Sequence, residues 1–311
     1  MPQRKDQFNG RYGSKTKSES RERPPVGSDP AEVEAVAEVE VEETFLRTVD
    51  EGRRRLSRRL VPLLATGLVG GIDVGSGVLA LLLVEYYTKS KILGGLAFSV
   101  GFIALALARS ELFTEDFLVP VSTVIARQAR FRSLMRLWVG TFVGNLVGGW
   151  LFTWLIIVGF PDLHRQAIKS GSYYVNLGIG GRAFALAVLG GAVITLMTWM
   201  QHGSNSIASK IVPAITGAFL LGAGQLNHTI VNSLLMFAAL HTGRAPFGYL
   251  QWAETAGWAA LGNLLGGVGL VTVLRIVQVP HTVKAERENP APGVALDDNR
   301  DPTEIIEPTG E

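Results

Sequence analysis

Two hydrophobic stretches of this chain are too long to be single straight membrane helices, and polar residues break both. The second apolar segment, residues 92 to 126, holds Ser110-Glu111-Leu112-Phe113-Thr114, and the fifth, residues 211 to 240, holds Gln225-Leu226-Asn227-His228-Thr229. As uninterrupted helices they would run roughly 52 and 45 Å against a hydrocarbon core of about 30 Å. Neither contains a loop that would divide it into two spans. One helix broken near mid-membrane accommodates the polar residues where they fall, and such breaks survive only inside protein or beside a wet cavity.

The breaks are paired, about 114 residues apart, and a second feature repeats with them. Gly144-Asn145-Leu146-Val147-Gly148-Gly149 returns 118 residues later as Gly262-Asn263-Leu264-Leu265-Gly266-Gly267. The duplication therefore spans most of the chain. Matching interrupted segments in two halves point to the substrate path of a transporter. The Gly-Asn motif itself reads as packing, because small residues every fourth position let membrane helices approach closely, and Asn145 and Asn263 can bond across such a contact.

With the remaining apolar runs at 60 to 84, 137 to 160, 183 to 200 and 253 to 277, the count is six segments of membrane-spanning length. Hydrophobic residues make up 47% of the chain, so the expected fold is an all-α integral membrane protein. Residues 1 to 50 form a polar N-terminal region, disordered to about residue 30 and helical near the membrane; residues 51 to 279 form the transmembrane domain; residues 280 to 311 form a disordered tail. No apolar stretch near the start reads as a cleaved signal. The absence of cysteine excludes disulfides, thiol catalysis and zinc–thiolate sites, and no metal-ligand cluster, nucleotide loop or catalytic triad appears. No cofactor and no enzyme activity are expected.

Arginines 53, 54, 55, 58 and 59 precede the first span, and with the other basic residues near span ends they favour a cytoplasmic N-terminus. Both tails are then cytoplasmic, and three spans per repeat make the second half inverted. These basic flanks are explained by topology, leaving no case for nucleic-acid binding.

Each ionisable residue inside a membrane costs about 2.5 to 3.5 kcal/mol on insertion scales and needs a reason. His228 stands out, because it lies near mid-membrane immediately before Thr229-Ile230-Val231-Asn232, where a helix restarts. A half-helix N-terminus offers a partial positive charge and unpaired N–H groups, an anion site without a basic side chain. His228 is then a proton partner for a weak acid. Thr114 at the first break can cap the following half-helix and offer its hydroxyl to a pore. Glu115 and Asp116 fall in that half-helix's first turn, where the dipole favours carboxylates, and Arg109 and Glu111 are candidates to pair with them. Asp73, in the glycine-rich first span, either lines the path or marks an inward polar face. His202 and His241 at segment ends, with His164 and His281 in connections, read as solvated.

Taken together, Ser110 to Thr114, Asn227-His228-Thr229-Ile230-Val231-Asn232 and the paired Gly-Asn motifs resemble the formate/nitrite transporters over about residues 50 to 278. The resemblance implies an aquaporin-like protomer of six transmembrane helices in two inverted three-helix repeats, the second and fifth interrupted, assembled as a homopentamer in the inner membrane with one path per protomer. It places the family's central histidine at His228, its threonine at Thr114 and its motif asparagine at Asn232, with apolar constrictions at Phe102 and Leu221. Asn227 stands where many members have glutamate, and Glu115 and Asp116 stand where small residues follow the threonine. The function implied is passage of small monocarboxylates such as formate, or nitrite, with protons. Two rivals stay open at this level: a pore for neutral solutes such as water, glycerol or ammonia, and a membrane scaffold or sensor that recruits a partner through the N-terminal region.

Overall fold

The computed structural model describes residues 30–292 and 294. The disorder expected for residues 1 to 29, and for the tail beyond 294, lies outside the described residues. The chain divides into a unit ending at Glu40 and a unit beginning at Val41. Of the first, Pro30 to Glu40 are helical and open helix α1 (Pro30–Leu56).

The second unit is all-helical among the described residues. Its elements after α1 are α2 (Leu60–Thr88), α3 (Lys91–Ala97), α4 (Ser99–Ala108), α5 (Val119–Ile125), α6 (Phe131–Gly159), α7 (His164–Leu177), α8 (Gly181–His202) and α9 (Ile207–Ala223). Four more follow: α10 (Thr229–His241), α11 (Tyr249–Leu264), α12 (Val273–Val277) and α13 (Pro280–Glu288). Five helical stretches are long and apolar enough to cross a membrane, with Lys91–Ala108 and Tyr249–Val277 each counted as one, and α9 and α10 are shorter apolar helices. Large apolar side chains such as Val139, Leu155, Val158, Leu261 and Leu270 face outward, a surface unsuited to water and suited to lipid or another subunit.

Glycine decides how closely these helices pack. A Cβ on Gly148 of α6 would lie 2.0 Å from the Leu68 carbonyl oxygen of α2, and one on Gly266 would lie 1.9 Å from the Val188 carbonyl oxygen of α8. The two copies of the repeated motif thus seat α6 on α2 and the last apolar stretch on α8 in the same way. Residues Leu265–Thr272 of that stretch are π-helical, a widened turn that brings Gly267 against Phe117 and lets the Thr272 hydroxyl donate to the Phe117 carbonyl at 2.8 Å. Gly266→Ala is expected to force the helices apart, at about 1–3 kcal/mol for overpacking. Gly257→Ala, with nothing within 4 Å of its Cβ, is the control. Thermal midpoints of the detergent-solubilised protein should separate the two; equal midpoints would refute the close-packing account.

Three elements depart from the sequence expectation. Helix α1 runs through residue 50 without a boundary, because Phe45, Thr48 and Val49 are buried and the first two apolar side chains share a cluster with Leu118, Trp199 and Val283. The segment after 280 begins with α13, held by Val283 in that cluster and by Gln128 donating to the Glu286 carbonyl at 2.7 Å. The connection between the third and fourth apolar segments folds as α7, whose Ala167, Gly171 and Tyr174 recur on one helical face and are buried. A Cβ on Gly171 would lie 2.8 Å from the Leu235 carbonyl oxygen, so α7 lies directly on α10.

Candidate functional site

Helices end at both polar stretches. Helix α4 stops at Ala108, Arg109 takes a left-handed φ of 56°, and helical turns resume only at Glu115. Helix α9 stops at Ala223, Gln225 takes a left-handed φ of 49°, and α10 begins at Thr229. These reversals leave backbone groups without helical partners in an apolar interior, so each needs one supplied from elsewhere.

The repeated asparagines supply them. Asn145 Nδ2 donates to the Gly67 carbonyl at 2.7 Å and the Glu111 carbonyl at 2.8 Å, while its Oδ1 accepts from Phe113 N–H at 2.9 Å. Asn263 Nδ2 donates to the Ala187 carbonyl at 2.8 Å and the Asn227 carbonyl at 2.9 Å, while its Oδ1 accepts from Thr229 N–H at 2.9 Å. Asn145 ties α2 to the non-helical stretch after α4, and Asn263 ties α8 to the non-helical stretch after α9. The motif first read as a packing face is therefore also the pin of each break. The bonding also corrects the register: Glu111 matches Asn227, Phe113 matches Thr229, and so Leu112, rather than Thr114, occupies the place of His228.

Thr114 and His228 nevertheless meet. Thr114 Oγ1 lies 2.7 Å from His228 Nε2, and both residues are fully buried. His228 caps α10, its Nδ1 accepting from Val231 N–H at 3.3 Å. In a neutral ring that leaves the proton on Nε2, which donates to the threonine oxygen and frees the threonine O–H to donate elsewhere. Of the N–H groups expected to be open at the α10 N-terminus, those of Thr229 and Val231 are taken, by Asn263 and His228.

A neutral amide pair adjoins the histidine. Asn227 Nδ2 donates to the Ala183 carbonyl at 3.0 Å, which orients its Oδ1 to accept from Asn232 Nδ2 at 2.6 Å. Asn232 Oδ1 is left buried without a hydrogen-bond partner. Phe102 and Leu221 are buried in one apolar cluster with Leu105, Leu112 and Ile230, and Phe98 meets Phe102 edge-on with centroids 5.1 Å apart. Asp73 is partly buried and accepts from the Ser110 hydroxyl at 2.5 Å.

The carboxylates at the first break form an ion cluster, but its cations come from elsewhere than expected. Arg109 is exposed. Arg55 enters from α1 and lies 3.3 Å from Glu111, 3.2 Å from Asp116 and 3.2 Å from Glu51, while Arg58 lies 2.6 Å from Glu111. Burial works against the Arg55 charge, but Glu111, Asp116 and Glu115 outweigh it and push its pKa above the ordinary arginine value. A cavity of about 410 Å³ opens beside the cluster, with Arg55, Glu115, His202 and Lys210 in its wall. His202, His241 and His164, expected to be solvated, bond through ring nitrogens to the carbonyls of Thr198, Trp150 and Ile157. No group of three or more histidines and carboxylates is placed to hold a metal ion among the described residues.

Comparison with known proteins agrees with this architecture. The profile of the family described as "Formate/nitrite transporter" matches residues 42–277. The chain is 26% identical to "Inner membrane protein YfdC" of Escherichia coli (strain K12) over 248 residues, covering 76% of this chain and 78% of that one. Its fold is similar to that of an "FNT family ion channel", with TM-score 0.68 and 17% identity over 76% of this chain and 99% of the other. It is also similar to that of a "Pentameric formate channel with formate bound", with TM-score 0.58 and 20% identity over 70% of this chain and 96% of that chain. The protein is thus a multi-pass membrane protein with the fold of a membrane channel.

Proposed function

This chain belongs to the formate/nitrite transporter family, and on that premise we propose that it carries small monovalent anions or their weak acids, formate or nitrite among them, along a path that passes Thr114 and His228. The observation that carries this reading is the 2.7 Å contact of Thr114 Oγ1 with His228 Nε2, made in a buried interior where two pinned helix breaks meet. Apolar packing has no need of it. A threonine O–H left free to donate and an Asn232 Oδ1 left free to accept suit a solute that both accepts and donates a hydrogen bond, as a neutral carboxylic acid does.

The path runs between the Phe102 and Leu221 constrictions, with Asn227 orienting Asn232. Carboxylates at the first break oppose a bare anion, so the neutral acid is the species that crosses the apolar sections, after His228 or water supplies a proton. The protomer has six spans in two inverted three-helix repeats, with the second and fifth spans interrupted. The likeness to a pentameric formate channel supports a homopentamer with one path per protomer, and the basic end of α1 supports an inner-membrane orientation with both termini in the cytoplasm.

Proteoliposomes loaded with a pH-sensitive dye test this. Wild type should take up formate together with protons down an imposed gradient, and His228→Ala should lower that flux by about a hundredfold, the scale of a lost proton-transfer group. Equal fluxes from the two would remove the histidine's role. Rapid glycerol permeation without formate flux would favour the neutral-solute pore instead.

A further inference from the structure

One carboxylate in the cavity wall stands outside the salt bridges of its neighbours. Glu115 is 3% exposed, directly follows Thr114 in the chain, and lines the 410 Å³ cavity. Its Oε1 has no hydrogen-bond partner, as is true of oxygens on Glu111 and Asp116, but unlike those two it makes no salt bridge among the described residues. Among the described residues, Glu51, Glu111, Glu115 and Asp116 face three arginines that bond to the cluster, Arg54, Arg55 and Arg58. Glu115 feels the Arg55 charge, but it is the one of the four carboxylates that makes no salt bridge among the described residues.

We infer that Glu115 is the proton-loading group of the path, taking protons from the cavity and passing them to a substrate anion at the Thr114–His228 pair. The inference rests on the transport reading above. A carboxylate in a salt bridge with arginine is a fixed charge, whereas one outside any salt bridge on a cavity wall can exchange a proton with whatever fills the cavity. In the first step an O–H bond of hydronium breaks as one forms on the Glu115 carboxylate. In the second that bond breaks as the O–H of formic acid forms, which restores the carboxylate and removes the charge from formate. Glu51 and Arg55 of α1, Glu111 in the break and adjacent Asp116 set the field around it. Across the cavity the charged or titratable groups are Arg47, Asp50, Arg54, Arg109, His202 and Lys210.

The test uses full-length protein in proteoliposomes, with formate uptake and lumenal acidification followed together from about pH 5 to pH 8. Glu115→Gln should lower coupled uptake by at least about tenfold at neutral pH and flatten its pH profile, with Glu115→Asp restoring most of it. An unchanged rate and profile in Glu115→Gln overturns the assignment. Since the chain has no cysteine, Glu115→Cys provides a unique thiol should the glutamine variant fail to assemble. A carboxyethyl thiosulfonate reagent should restore the pH-dependent flux and an aminoethyl reagent should not; equal effects of the two overturn the assignment. A wild type that moves neither formate nor protons overturns the transport reading itself, an outcome distinct from a silent Glu115.

Discussion

Asn263→Ala is expected to unfold the second break and abolish flux together. The substitution removes the acceptor of Thr229 N–H and the donor to the Asn227 carbonyl, both in a segment with no helical partner to fall back on. The Ala187 carbonyl loses less, because it lies inside α8 and keeps its place in the helical ladder. Two buried backbone groups without partners cost about 2–6 kcal/mol in sum, a large share of a typical stability margin of about 5–15 kcal/mol. Thr229 is also the first residue of α10, and His228 caps it, so a loosened Thr229 frees the histidine from Thr114. Asn145→Ala should repeat the effect at the first break, through the Glu111 carbonyl and Phe113 N–H. Asn263→Asp keeps the acceptor but turns a negative charge toward two carbonyl oxygens, so it should lie close to the alanine variant. Thermal midpoint in detergent and formate flux in liposomes check the pair, and a wild-type midpoint in Asn263→Ala would remove the pinning role.

These asparagines read in sequence as packing residues, yet in the fold they bond the backbone of both helix ends. Their recurrence inside a duplicated glycine motif was visible, and so were the two polar breaks, because repeats and interruptions of an apolar run are local patterns. The partners were not. That Asn145 reaches Glu111 and Asn263 reaches Asn227 depends on one helix lying across a break more than thirty residues distant, and hydropathy carries no such distance. The two-residue shift between aligning Thr114 with His228 and aligning Leu112 with His228 has the same origin, since only the asparagine bonds set the register. Helix α7 was hidden for another reason. Its apolar positions Ala167, Gly171 and Tyr174 form a narrow stripe in a polar segment, too weak to register beside membrane spans.

Arg55 was equally present and equally misread, as one of five arginines flanking a membrane rather than as a buried partner. Arg55→Ala is expected to destabilise the protein by about 3–5 kcal/mol, because breaking a buried ion pair from one side leaves uncompensated charge behind. Here Asp116 would lose its one salt-bridge partner among the described residues, Glu111 would keep Arg58, and Glu51 would keep Arg54. Asp116 therefore accounts for most of the loss. Arg55→Ala combined with Asp116→Asn should recover much of it, since the amide needs no cation. Arg55→Lys should recover little, because an ammonium on a flexible stem cannot span three carboxylates as a planar guanidinium does. Lowering the pH should narrow the gap between Arg55→Ala and wild type, because a protonated carboxyl group no longer requires the missing cation. Thermal midpoints of the four proteins between about pH 5 and pH 8 provide the measurement. A gap that stays constant or widens on acidification would mean that Arg55 acts through packing of its side chain rather than through its charge, and a double variant no more stable than Arg55→Ala would say the same.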